Sequence, residues 1–265
     1  MKYVILATEG PHDQAAIGRL LKLMGLKDFA REFGGELASL DSFWRGFVPT
    51  SPPLKLYERS SMPSIFSSST HSISVAIYQG EGSNLIPNLI ATISNYRLGK
   101  RRPYIQDIYA FGLIMDADTH DPDALAKDRA DQLRVLYPTI STVPGTITEG
   151  IPRTGIYVLP DNKRQGTLDS ILVDCASVVF HEHRSGAEQF LNGLADDHKR
   201  HWRRPFGEQK ALVASIVSVL RPGMANTPSI AQDRWICDET VQTVAELDSL
   251  YQFIKTLLDL PVSVG

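Results

Sequence analysis

Three apolar runs each end in carboxylates, and this constrains the fold more than any other feature of the chain. Tyr3-Val4-Ile5-Leu6-Ala7 runs into Glu9-Gly10-Pro11-His12-Asp13. Phe111-Gly112-Leu113-Ile114-Met115 runs into Asp116-Ala117-Asp118. Gly155-Ile156-Tyr157-Val158-Leu159-Pro160 runs into Asp161, with Asp169 shortly beyond. An apolar run of about five residues reads as a buried strand of a parallel sheet. Carboxylates at the carboxyl ends of such strands lie where α/β sheets build their sites. Several of them on one edge repel unless a cation holds them, which points to a hard divalent ion, Mg²⁺ or Mn²⁺.

The segments between these runs fit the same architecture. Ile17, Leu20, Leu21 and Met24 mark a helix over about 13–24, with Pro11 before it and Gly25 after it. Strand propensity returns at Ile73–Tyr78, and a helix follows near Leu85–Tyr96. Asp121-Pro122 reads as an N-cap and first turn of a helix running to about Leu136. Residues 41–70 carry Pro49, Pro52, Pro53, Pro63 and Ser67-Ser68-Ser69, which reads as a long loop or insertion. Alternating strands and helices predict a mainly parallel sheet covered by helices over 1–180. Beyond it, stripes such as Val213, Ile216, Val217, Leu220 and Val241, Val244, Leu247, Leu250 predict a helical extension over 181–265.

At 265 residues and 43% hydrophobic, the chain buries a substantial core, and a net charge of −3 gives no global signal for nucleic acid. No segment is long and apolar enough to span a bilayer, so the expectation is a cytoplasmic protein without a membrane partner. Cys175 and Cys237 lie far apart in sequence and lack metal-ligand spacing; they read as two reduced, buried thiols.

Two other readings of Asp116-Ala117-Asp118 fall away. A calcium loop starting at Asp116 needs Gly at its sixth position and Glu at its twelfth, and the chain has Asp121 and Lys127 there. An aspartyl-phosphate hydrolase of the haloacid-dehalogenase type wants Thr or Val two residues after the second Asp, and the chain has His120. Asp13 also suits the first turn of a helix, where its charge complements the helix dipole.

A strand ending in Glu-Gly-x-x-Asp and a later strand ending in Asp-x-Asp resemble the TOPRIM domain of topoisomerases, primases and small nucleases. Leu159-Pro160-Asp161 and Gly166-Thr167-Leu168-Asp169 are similar to a small standalone group related to the OLD nucleases, where the last acid is commonly Glu. The resemblance implies a TOPRIM-like domain over 1–180 and phosphodiester chemistry on DNA or RNA with Mg²⁺ or Mn²⁺. Glu9 would be general base or ligand, Asp116 and Asp118 ligands, and Asp13, Asp161 and Asp169 a second metal position. A lysine near the transferred phosphate would be Lys163 or Lys210. Lys100, Arg101, Arg102, Lys199, Arg200, Arg203 and Arg204, with Trp202 among them, offer a path for the nucleic-acid backbone. OLD nucleases carry an ATPase domain; the chain has no P-loop, which implies a separate ATPase subunit or a non-catalytic module binding nucleotide, nucleic acid or a partner.

Overall fold

The computed structural model describes residues 1–32, 40–45, 63–80, 84–94, 107–202 and 204–261. Its strands are β1 (Lys2–Thr8), β2 (Lys27–Asp28), β3 (Ser64–Ser68), β4 (Ile73–Gln79), β5 (Ile108–Asp116), β6 (Ile147–Thr148) and β7 (Arg153–Leu159). They form one sheet in the order β2-β3-β4-β1-β5-β7-β6. The four central strands, β4, β1, β5 and β7, are mutually parallel. The flanking strands β2, β3 and β6 are antiparallel to their neighbours. The central strands carry the apolar runs because both of their faces are covered.

Helices pack on both faces. In chain order α1 (Pro11–Leu23), α2 (Phe29–Glu32) and α3 (Ser42–Arg45) come first, then α4 (Leu85–Ser94) and α5 (Pro122–Leu133). They are followed by α6 (Leu168–Val179), α7 (His181–Gly193), α8 (Gly207–Leu220), α9 (Asn226–Gln232), α10 (Asp238–Thr243) and α11 (Ala245–Leu257). Alternate residues of β1 point to opposite faces. Val4 and Leu6 join α1 and α6–α11, while Ile5 and Ala7 join α3, α4 and α5. The result is a mixed α/β fold with a mostly parallel sheet between two helical layers.

The C-terminal helices are one of those two layers. Phe253 of α11 lies against Gly155, where an added Cβ would come within 3.0 Å of its ring, and its ring centroid is 5.2 Å from that of Tyr157. Phe180 is at once the C-cap of α6 and the N-cap of α7, so the chain passes residue 180 inside one core.

The loop expected over 41–70 is corrected where it is described. Ser42–Arg45 is helical, and Ser64–Ser68 is a strand paired antiparallel with Ile73–Ile77. Pro63 and the serines suggested a loop, but Pro63 precedes the strand, and Ser67 and Ser68 continue it past the buried Ile65 and Phe66 by pairing with Ser74 and Ile73. Residues 46–62 lie outside the described part. None of the described helices is long and apolar enough to cross a membrane.

Candidate active site

The topology creates one crevice. After β1 the chain leaves through α1 on one face, and after β5 it leaves through α5 on the other. β1 and β5 are adjacent, so their carboxyl ends flank a topological switch point, where open α/β sheets bind ligands. Glu9 follows β1 and Asp116 ends β5.

A cavity of about 430 Å³ opens there, lined by Glu9, Asp13, Asp116 and Asp169. Four carboxylates expected from the sequence are thus brought together from three places in the chain: the β1–α1 turn, the end of β5 and the start of α6. Lys210, from the first turns of α8, and His12 line the same cavity and bring the opposing charge. Two helix N-termini border it, those of α1 at Gly10–Pro11 and α6 at Leu168. Their free N–H groups favour anions.

Local bonds fix each acid. Asp13 accepts a hydrogen bond from Gly10 N–H at 2.9 Å, so it caps α1 while remaining buried beside the cavity. Asp116 accepts one from Leu168 N–H at 2.8 Å. Asp118 exchanges backbone hydrogen bonds with Gly166, 2.9 Å and 3.1 Å, in an isolated antiparallel bridge. Gln165 Nε2 donates to Thr119 O at 2.6 Å, lacing the two loops together. Gly166 is required there: its φ is +157° and a Cβ would meet Pro160 at 2.9 Å. Gly10 plays a different part from the tight turn its position suggests. Its φ of −144° is ordinary extended backbone, and a Cβ would meet Asp13 at an unstrained 3.5 Å.

The electrostatics follow from crowding like charges away from water. Burial, then Glu9 and Asp169, push the Asp13 carboxyl up to about 7, against the pull of its hydrogen bond from Gly10. Burial, then Asp13, push Asp116 up to about 8, with Glu9 and Asp118 adding to the rise. Burial and Asp118 raise Glu9, partly offset by Arg129 and His120. Burial raises Asp169, with Lys210 and His12 opposing. Upward shifts of several acids in one crevice make it a candidate functional site.

Other expected residues fall elsewhere. Asp161 is already committed: it accepts from Lys163 N–H at 3.0 Å, Arg164 N–H at 2.9 Å and Arg164 Nε at 2.7 Å. Its partial burial opposes ionisation, but the Arg164 and Lys163 hydrogen bonds outweigh that and hold its carboxyl below the usual range. It does not line the cavity, and neither does Lys163, which is exposed on the same loop. Arg164 reaches on to Glu246, pinning that loop to α11. Asp118 is exposed, has a left-handed φ of 47°, and acts on the site through its charge rather than by lining it. Trp202 packs partly buried against the core instead of offering a free stacking face. Lys199 donates to Asn192 O at 3.1 Å, and Arg200 and Arg204 are exposed. Lys100, Arg101, Arg102 and Arg203 lie outside the described residues.

Sequence reasoning missed Arg129, His12 and Asn226. Arg129 shares a helical stripe with Leu125 and Leu133, and that spacing is the available signal, because it turns Arg129 toward the core side, beside Glu9. His12 sits inside the Glu9–Asp13 cluster and was overlooked as a spacer. Nothing local marks Asn226, which arrives from the start of α9.

A family model described as a protein of unknown function, DUF3226, matches residues 3–259. The chain belongs to this family. The DUF3226 match spans every cavity residue, from Glu9 in β1's turn to Asn226 in α9. Among solved structures, a hypothetical protein from Pyrococcus horikoshii is 16% identical, with a TM-score of 0.54, covering 96% of this chain and 100% of that one. At that identity the likeness speaks for the fold alone. No curated protein matches the chain.

Proposed function

We propose that this protein carries out divalent-metal-dependent phosphodiester hydrolysis on DNA or RNA in the cytoplasm, through a TOPRIM-like site of the OLD-nuclease type. The observation that carries the reading is the shared cavity: Glu9, Asp13, Asp116 and Asp169 converge at the β1/β5 switch point with Lys210 among them.

The donor set fits Mg²⁺ or Mn²⁺, since every cavity carboxylate is a hard oxygen ligand. Among the described residues no three His, Cys, Asp or Glu side chains stand as a ready cage. That suits Mg²⁺, which takes one or two carboxylates and completes its shell with water and substrate phosphate. Asp116 and Asp13 would be those ligands. Once held there, the ion supplies Lewis-acid polarisation of a phosphoryl oxygen.

The chain's own groups do the rest. Lys210 and the N-terminus of α1 meet the phosphate and offset its charge. Glu9, raised by burial, is poised to take a proton from the attacking water. Lys210 and His12 line the same wall as Asp169, and their charge favours its ionised form. Lys199, Arg200 and Arg204 precede the helix that bears Lys210 and would offer contacts to a nucleic-acid backbone.

A second reading is a non-catalytic module of the same fold that binds nucleotide, nucleic acid or a partner ATPase. It is favoured by the lack in the sequence of a P-loop, which OLD nucleases carry in their ATPase domain. One assay decides: plasmid and single-stranded nucleic acid with Mg²⁺ or Mn²⁺, beside Glu9→Gln and Asp116→Asn. Cleavage lost in both variants supports the hydrolytic reading; cleavage unchanged in both removes the site assignment. No cleavage by the unaltered protein, with nucleic acid still bound, supports the module.

A further inference from the structure

Glu9 separates two spaces. On one side is the cavity it shares with Asp13, Asp116, Asp169 and Lys210. On the other is a cavity of about 10 Å³, which it shares with Arg129 and Gln132 of α5. The rest of that smaller lining is apolar, Leu85 and Ile86 from α4 and Leu113 and Met115 from β5. A volume of this order holds one water molecule where about two to four polar partners face it. Glu9, Arg129 and Gln132 are the polar residues of the lining.

Asp128 orients both α5 side chains. Its Oδ2 accepts from Arg129 Nη1 at 2.7 Å and from Gln132 Nε2 at 2.9 Å. An ionised carboxylate only accepts, so in this contact the nitrogen of Gln132 faces Asp128 and its Oε1 is left as an acceptor. Arg129 keeps further N–H donors on the same planar fork. The set is complementary. Arg129 donates to a water, and the water donates to Gln132 Oε1 and to the Glu9 carboxylate. The apolar part of the wall lowers the local dielectric and strengthens these bonds.

We propose that Arg129 is the positioning residue of Glu9, holding its carboxylate from the α5 side through one water bound with Gln132 in the small cavity. Arg129 lines that cavity and not the larger one, so it acts through Glu9 rather than on a bound phosphate. Charge points the same way. Asp118, Asp13 and Asp116 act on Glu9 as like charges, while Arg129 and His120 oppose them. A base held in one orientation meets its water in reactive geometry, and a small misplacement is costly. The effect on rate rests on the hydrolytic reading; the link between Glu9 and Arg129 does not.

The test compares the unaltered full chain with Arg129→Met, Arg129→Lys, Glu9→Gln and the Arg129→Met, Glu9→Gln double variant. Melts in chelator at about pH 8 read the link without activity. Arg129→Met should lower Tm by at least about 2 °C more with Glu9 present than with Gln there, and Arg129→Lys should recover part of that difference. Equal drops in both backgrounds would overturn the link. Crystals should show one ordered water within about 3.2 Å of all three side chains. A direct Glu9–Arg129 ion pair would overturn the water. On a single-stranded oligonucleotide with Mg²⁺, Arg129→Met should lower kcat roughly tenfold to a hundredfold, with KM changed less than about twofold. Arg129→Lys should recover part of the rate. A raised KM with kcat unchanged would put Arg129 on the substrate and overturn the positioning role. If the unaltered protein cleaves nothing, the hydrolytic reading fails, and the melts and crystals decide the link.

Discussion

The Asp116 carboxylate accepts the backbone N–H of Leu168 at 2.8 Å, joining the end of β5 to the first turn of α6. The bond does two jobs. It satisfies one of the orphan N–H groups of α6, whose own N-cap, Thr167, makes no side-chain cap bond. It also holds Asp116 at the cavity wall, facing Asp13 and Glu9. Asparagine keeps the acceptor and removes the charge, so this position separates structure from chemistry. Asp116→Asn should fold, gain at least about 1 kcal/mol of metal-free stability near pH 8, and lose metal-dependent activity. Urea unfolding beside the cleavage assay checks both parts. A destabilised Asp116→Asn would contradict the charge argument.

Metal-free stability should fall as pH rises through the neutral range. Asp13 and Asp116 are raised to about 7 and about 8 in the fold, from the ordinary value of 3.8. Below that ordinary value both states hold the protons. Above it the unfolded chain releases them first, so the fold loses stability until its own carboxyls ionise, and the curve then levels. The depressed acids Asp161, Asp233 and Asp259 are ionised in both states across this window and leave its slope unchanged. Unfolding in chelator at about pH 5 and about pH 8 should give the higher stability at the lower pH. A flat or rising profile would count against the buried pair.

Added Mg²⁺ or Mn²⁺ competes with those protons. The increase in Tm on adding metal should be larger near pH 8 than near pH 6, and binding should release protons to the buffer. At a hundredfold excess over Kd the stabilisation is about 2.7 kcal/mol. Calorimetry in two buffers of different ionisation enthalpy measures the proton release. Equal shifts at both pH values would remove the buried carboxylates as ligands.

Lys210→Met should keep the fold, because the side chain is exposed on α8, yet weaken phosphate contact. Loss of one charged hydrogen bond is worth about 1.5–3 kcal/mol, so activity should drop roughly tenfold to a hundredfold. Lys163→Met, off the cavity, should change it little. Equal effects at both lysines would show that general charge, not position, matters.

Phe253→Ala should cost about 3–5 kcal/mol, since the ring is buried by α11 against Gly155 and Tyr157. A chain ending at residue 180 should not fold, because it exposes the face of β5 and β7 that α11 covers. Circular dichroism and a cooperative melt decide this. A folded 1–180 fragment would contradict a core shared with the C-terminal helices.

The sequence by itself determined the central strands and their acidic ends. Runs such as Val4–Ala7 and Phe111–Met115 are apolar on both faces because helices cover both, and that signal is local. It determined the caps as well: Asp121 accepts Ala124 N–H at 2.9 Å as its Asp-Pro position implies. It did not reveal β3, where Ser67 and Ser68 hid a strand whose stability comes from pairing with β4. Nor could it separate Asp161 from Asp169, two acids that follow the same strand, one on the loop and one in the first turn of α6. Only the tertiary structure decided that Arg164 takes the first and that the second turns inward beside Lys210. The three acidic strand ends were legible because each is written in consecutive residues. Their partners Arg129 and Asn226 come from helices whose placement depends on long-range packing, and the same packing set Lys210 rather than Lys163 at the cavity.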